Sequence, residues 1–110
     1  MKTYRSDEAE ALYREALAIT TRSSGADHPK VAIRMDNLGR CLRAKQKPGE
    51  VSMAELVEAE QLHRSAWTIG LKTFDPDHWE IAESREDLAQ VLDLMGRPND
   101  AADARNGIGP

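Results

Sequence analysis

An internal repeat with an offset of fifty residues is the feature that most constrains how this chain can fold. Twelve residues between positions 8 and 42 recur at this offset in the second half. The first copies are Glu8, Ala9, Glu10, Leu12, Arg14, Ala16, Ile19, Asp27, His28, Ala32, Leu38 and Leu42, and the second are Glu58, Ala59, Glu60, Leu62, Arg64, Ala66, Ile69, Asp77, His78, Ala82, Leu88 and Leu92. A repeat of this size indicates a duplicated supersecondary unit that stacks on itself. Stacked units more often present surfaces to partners than perform chemistry.

Apolar residues recur at spacings of three and four along most of the chain, which predicts amphipathic helices. The predicted helices span about 6–22, 29–47, 52–72 and 79–95, and a frayed stub without large apolar residues follows at about 99–105. In the first helix the buried stripe is predicted to be Ala9, Leu12, Ala16 and Ile19. No segment alternates as a strand would. The chain is therefore predicted to form one all-α domain over residues 1–110.

Several helix ends carry recognisable capping residues. Ser6 is predicted to cap the first helix, and Ser52 and Glu55 are predicted to form a capping box at the third. His28 and His78 each follow an aspartate at a helix start, so we expect them to cap and turn the chain and not to bind a metal. The loop at 47–51 separates the second and third helices.

Composition excludes several classes of function. The net charge of −4 gives no electrostatic reason to expect a nucleic acid or an anionic membrane as partner. The single cysteine, Cys41, cannot form an intramolecular disulfide, and no apolar stretch is long enough to cross a bilayer. The segment 1–7 is polar and lacks the apolar run of a signal peptide. We therefore expect a soluble cytoplasmic protein.

The spacing of particular residues resembles a known repeat family. Met35-x2-Leu38-Gly39-x2-Leu42, followed by Ala59-x3-His63, is similar to the tetratricopeptide pattern W-x2-L-G-x2-Y with A-x3-F. The flanking copies are Ala9-x3-Tyr13 and Arg85-x2-Leu88-Ala89-x2-Leu92. The runs 8–19 and 26–32 resemble the longer repeats of the kinesin light chain type. The resemblance implies antiparallel helix pairs stacked as a short right-handed α-solenoid, with four main helices plus the C-terminal stub.

The chain departs from this family pattern at several positions. The offset exceeds the usual period of about 42 by an insertion around 48–56, which either extends the loop and the next helix or forms a recognition element. Arg85 replaces a large apolar residue, so we expect it to point outward or to pair with Glu86 or Asp87. Trp67 is placed to cover part of the incomplete C-terminal end.

The resemblance also implies a binding surface on the concave face, lined by the first helix of each pair. By position this groove consists of Asp36, Asn37, Arg40, Arg43, Glu83, Glu86, Asp87, Gln90 and Asp93. One end would be basic and the other acidic, and a peptide or partner helix would lie along it. The alternative is that these residues form ordinary solvated helix faces.

No motif predicts chemistry. Zinc-ligand spacing, a phosphate loop and a nucleophile motif are all lacking, so the sequence predicts no catalytic residue, metal or cofactor. His63 occupies a position where an aromatic packs in the family, and Cys41 lies beside a buried stripe. The alternative to groove binding is a homodimer through the uncapped repeat ends. Its apolar contacts would come from Ala11, Tyr13, Leu17, Val91, Leu94 and Met95.

Overall fold

Residues 2–110, which the structure describes, fold into five α-helices. The computed structural model describes the backbone of residues 2–110 and the side chains from residue 7 onward. The helices are α1 (Lys2–Ser24), α2 (Pro29–Ala44), α3 (Met53–Thr73), α4 (Trp79–Leu94) and α5 (Pro98–Arg105). Each helix packs on the next along the chain, and α2 also approaches α4. Within the described residues the only β-type pairing is an isolated bridge between Lys47 and Glu50. The predicted all-α repeat fold is confirmed.

The core is built mainly from alanine and branched aliphatic side chains. Between α2 and α3 lie Leu38, Leu42, Leu56 and Ala59, and Val91 of α4 joins them. A second cluster connects α3, α4 and α5, and its members are Trp67, Ile81, Leu88, Ala89, Leu92, Ala101 and Ala104. Val91 was expected to be exposed at a repeat end, but it is fully buried because α4 turns this side toward α2 and α3.

The first helix differs from its prediction in two respects. It begins at Lys2, so Ser6 lies inside the helix and does not cap it, and the Ser6 side chain lies outside the described side chains. The predicted buried stripe is largely open, since Leu12 is 65% exposed and Ile19 is 48% exposed. Leu17, on a neighbouring side of the helix, packs against the core instead. Among the described helices only α2 brings its backbone close to α1, while α3 reaches α1 through side chains such as Glu58.

The two histidine caps are confirmed and have nearly identical geometry. Nδ1 of His28 accepts a hydrogen bond from the backbone N–H of Lys30, and Nδ1 of His78 accepts one from Glu80, both at 3.1 Å. Each histidine has extended φ and ψ, as an N-cap residue does. These side chains satisfy amide groups that the first turn would otherwise leave without partners.

The connection between α2 and α3 is longer than predicted and covers residues 45–52. Helix α2 ends at Ala44, three residues early, and a turn follows in which Gly49 has a φ of +79°. Ser52 caps α3, since its Oγ accepts from the N–H of Glu55 at 3.3 Å. The reciprocal half of the capping box is replaced, because the Ser52 N–H donates to Gln46 at 2.6 Å. The carboxylate group of Glu55 instead accepts hydrogen bonds from Lys45 and Gln46.

The C-terminal helix is packed and not frayed. Ala101 and Ala104 are buried in the core, because small side chains allow α5 to lie close against α4 and to pack with Trp67 of α3. Arg85 does not pair with Glu86 or Asp87. Its guanidinium donates to the backbone carbonyls of Ala104, at 3.0 Å, and of Arg105. A cation at a helix C-terminus is favourable because the carbonyl ends carry partial negative charge.

Candidate functional site

A buried polar network joins α2, α3 and α4. Asp36 on α2 lies at its centre: Oδ1 is 2.8 Å from Nδ1 of His63 on α3, and Oδ2 accepts from Oγ of Ser84 on α4 at 2.6 Å. All three side chains are buried, and that of His63 is wholly so. Buried polar groups must pair with one another, and the network therefore fixes the positions of three helices relative to each other.

Arg40 extends this network toward the surface. Its Nε donates to Oδ2 of Asp87 at 2.9 Å, and its Nη1 donates to Oδ1 of Asn37 at 3.0 Å. Burial raises the pKa of the Asp87 carboxyl group, while His63 and Arg40 oppose that shift. Coulombic attraction by Asp87 raises the pKa of Arg40, and desolvation opposes this shift. The predicted basic and acidic residues are thus partly paired with each other.

Asp36, His63 and Asp87 also form the cluster closest to a metal-ligand set among the described side chains. One ligand-type atom from each lies within 4.8 Å of the others. Both oxygens of Asp36 already have partners, and Asp87 holds the guanidinium of Arg40. A cation here would have to compete with Arg40 for Asp87, so the arrangement suits an internal tie between helices better than ligation.

A cleft opens between α2 and α4 above the network. Its volume is about 130 Å³, and its floor consists of Ala32, Ala66 and Gly70. Ile33 and Trp79 stand at its rim and are 40% and 62% exposed. The polar lining residues are Asp36, Asn37, Arg40, Glu80, Glu83 and Ser84. The cleft therefore combines an apolar surface with a charged wall.

Four of the nine predicted groove residues line this cleft, namely Asp36, Asn37, Arg40 and Glu83. Three others, Glu86, Gln90 and Asp93, lie on a different part of α4, and Glu86 and Asp93 meet α5. Arg105 donates to Glu86 at 3.1 Å and to Asp93 at 3.1 Å, and Gln90 donates to Glu86 at 3.2 Å. Hydrogen bonding to Arg105 lowers the pKa of Glu86. Asp87 lies below the cleft, and Nε of Arg43 is buried without a hydrogen-bond partner.

Sequence reasoning missed several residues of this region. His63 and Ser84 complete the polar network, and Ile33 and Trp79 shape the cleft rim. One available signal was the position of His63, since a polar residue at an otherwise apolar packing site needs a buried partner. The repeat did not indicate a role for Ile33 or Trp79, because the two residues have no counterpart of the same type in the other copy. The equivalent positions hold Glu83 and Pro29.

The helices and their order define an all-α helical repeat. Residues 3–53 match the family model described as "Tetratricopeptide repeat", and this match supports a tetratricopeptide repeat protein. Repeats of this family generally mediate protein–protein interaction and are generally non-catalytic. A comparison with curated proteins found no match. No described helix is long and apolar enough to cross a membrane.

Proposed function

We propose that this protein is a non-catalytic interaction module that binds a peptide or partner helix in the cleft between α2 and α4. The single observation that carries the proposal is the exposed apolar rim of Ile33 and Trp79 beside a floor of small residues. A floor of alanine and glycine leaves room for an incoming side chain, and the rim can cover it. The proposed groove includes the nine residues named above, with Asn37, Arg40 and Glu83 nearest the ligand.

The size of the cleft favours a side chain over a small molecule. Pockets for drug-sized ligands usually measure about 300–1,000 Å³. This cleft is smaller, at about 130 Å³, and accepts an anchor residue of a longer ligand. No cofactor is needed for this function.

The charges at the cleft indicate a basic ligand. Asp36, Glu80 and Glu83 line it together with Arg40, and Arg40 is already paired with Asp87. An excess of carboxylates attracts a cation. We therefore propose a peptide with an apolar anchor next to lysine or arginine.

Selection of random peptides displayed on phage would test this function. Enriched peptides should carry an apolar residue near a basic one, and they should bind the wild-type protein in a fluorescence titration. Ile33→Glu should weaken binding about tenfold or more, because it places a charge on the apolar rim. Glu83→Lys should weaken the same peptides and reduce their salt dependence.

Leu94→Glu is the matched control. Leu94 is 45% exposed on α4 and does not line the cleft, so the same peptides should bind this variant as they bind wild type. Peptides whose affinity is unchanged by Ile33→Glu and Glu83→Lys, or no enriched peptides at all, would rule the cleft out as the binding surface.

The proposal also covers the subtype of the repeat, the role of the protein and its location in the cell. We infer a kinesin light chain-type tetratricopeptide repeat from the runs 8–19 and 26–32, and a cytoplasmic scaffold role from the single cysteine and acidic composition. Neither a nucleic acid nor a membrane surface is a proposed partner, since the net charge is −4.

The alternative function is self-assembly into a homodimer. Exposed Tyr13 and Leu94 favour it, whereas burial of Val91 reduces the apolar surface at the C-terminal end. Sedimentation across the micromolar range decides between them: a concentration-dependent mass supports self-assembly, and a constant monomer mass excludes it.

A further inference from the structure

Helices α1 and α3 are two copies of one helix. Residues 8–19 and 58–69 share seven identities, including the stripe Ala9, Leu12, Ala16 and Ile19, which recurs as Ala59, Leu62, Ala66 and Ile69. The first residue of α3, Met53, corresponds at the offset of fifty residues to Thr3, which lies in the first turn of α1. Because the two helices carry the same side chains at the same spacing, they present the same face. The helix that covers this face in α3 therefore shows which kind of helix fits the same face of α1.

The stripe is largely covered in α3, whereas in α1 Ala9 and Ala16 are half-buried and the two large residues are exposed. Ile69 is only 5% exposed, whereas its equivalent Ile19 is 48% exposed, and Leu12 is 65% exposed. Helix α2 provides the cover in α3, where Leu38 and Leu42 pack with Ala59, and Val31 packs with Ala66 and Ile69. No helix in the described chain occupies the corresponding place on α1.

In two helix pairs of this chain, the covering helix and the covered helix are joined by a polar side-chain pair. In α2 and α3, Asp36 pairs with His63, and in α4 and α5 Glu86 pairs with Arg105, which lies 42 residues after His63. Tyr13 stands fifty residues before His63 and is exposed. Its hydroxyl group can serve as the donor to an acid on a covering helix.

Charge selects among possible occupants of this face. Glu8 and Glu15 lie beside Leu12 and Ile19 on the helix surface, and neither forms an ion pair with the described side chains. A second α1 packed on this face would oppose these carboxylates with its own. Helix α2, by contrast, carries Lys30, Arg34, Arg40 and Arg43 against a single acid, Asp36.

We propose that the face formed by Ala9, Leu12, Ala16 and Ile19 is a second docking surface, which takes a basic amphipathic helix from a partner protein. The bound helix resembles α2: apolar residues follow the spacing of Val31, Met35, Leu38 and Leu42, with a small residue opposite Tyr13 as Gly39 is opposite His63. The stripe spans about 15 Å along α1, which is nearly three helical turns. This surface is distinct from the α2–α4 cleft and does not depend on it.

The probe is a synthetic peptide of residues 28–46 with Cys41→Ser, titrated into the full chain. It should bind saturably and more weakly at high salt, because opposite charges are screened. Leu12→Asp and Ile19→Asp should each reduce the affinity about tenfold or more. Two control variants should bind the peptide with unchanged affinity. They are Leu94→Asp, a matched change at an exposed leucine, and the cleft variant Ile33→Glu.

A tandem chain tests the same contact if the isolated peptide is too short to form a stable helix. Residues 28–52 are joined directly before Thr3, which reproduces the connection of α2 to α3. The melting temperature should rise by several degrees, and Leu12→Asp together with Ile19→Asp should abolish the rise.

Two results would overturn the proposal. One is failure of the peptide to bind together with no rise for the tandem chain. The other is a wild-type dimer that Leu12→Asp converts to a monomer, since the face would then be covered by a second copy of this chain.

Discussion

The backbone of Gly39 on α2 lies directly against the imidazole ring of His63 on α3. A Cβ atom at position 39 would stand 2.5 Å from Nε2 and 2.6 Å from Cε1 of His63. A Cβ atom essentially never makes contacts this short, so only glycine allows the two helices to approach this closely while the ring keeps its bond to Asp36.

Gly39→Ala should therefore destabilise the fold by about 1–3 kcal/mol, the usual effect of overpacking. At an ordinary interior helix position the same change stabilises by about 1 kcal/mol. Urea unfolding of Gly39→Ala, His63→Ala and the double variant would separate the two effects. In the His63→Ala background, the Gly39→Ala change should become neutral or stabilising. An equal loss in both backgrounds would show that the ring is not the obstacle.

Ser84→Ala should destabilise the protein by about 1–3 kcal/mol, because it leaves a buried oxygen of Asp36 without a donor. Ser65→Ala is the control, since Ser65 is exposed on α3 and its replacement should change stability by less than about 0.5 kcal/mol. Thermal unfolding of both variants measures the difference. If both variants changed stability equally, the hydrogen bond between Ser84 and Asp36 would add nothing to the stability of the fold.

Arg85→Met should loosen the end of α5. The guanidinium group of Arg85 holds two carbonyls there, and the amide of Gly107 bonds to the carbonyl of Ala104 in the same turn. Hydrogen exchange at Asn106 and Gly107 should quicken about fivefold, as expected for loss of about 1 kcal/mol of local stability.

Arg97→Met provides the comparison for this end of the chain. Arg97 pairs with Glu60 and Asp100 at the start of α5, so its replacement should quicken exchange near residue 101 and leave Gly107 unchanged. If both variants affect the whole of α5 equally, the helix opens as a unit and Arg85 has no local role.

The main helices and the two histidine caps were readable from sequence because their signals are local. Apolar spacing identified the four main helices, and His28 and His78 were identified as caps from a short motif at each helix start. The stripe of α1 was predicted to be buried from the same apolar spacing. Periodicity cannot say whether a partner helix covers that face, which is why Leu12 and Ile19 were wrongly expected to be buried.

The candidate site was harder to predict because its members come from three helices. Asp36 was named as a groove residue, but its partners His63 and Ser84 lie 27 and 48 residues away. Sequence spacing does not reveal which side chain meets a buried carboxylate. The same reason explains Arg85, whose partners are backbone carbonyls that carry no residue-specific signal.

Acid should weaken the attachment of α1 to α3. Arg14 on α1 donates to both carboxylate oxygens of Glu58 on α3, at 2.7 and 2.9 Å, and Lys45 donates to Glu10 at 2.6 Å. Hydrogen bonding to Arg14 lowers the pKa of Glu58 below its ordinary 4.5, and hydrogen bonding to Lys45 lowers that of Glu10.

Because these folded-state pKa values are the lower ones, the stabilisation is complete above about pH 4.5 and is lost as the pH falls through the folded values. Glu58→Gln should cost less than about 1 kcal/mol at neutral pH, since the pair is partly exposed. The difference between wild type and this variant should shrink between neutral pH and an acidic pH below the folded-state pKa of Glu58. Urea midpoints at both pH values measure it, with Glu15→Gln as an exposed control on α1. A difference that persists at low pH would show that Glu58 acts through packing and not through its charge.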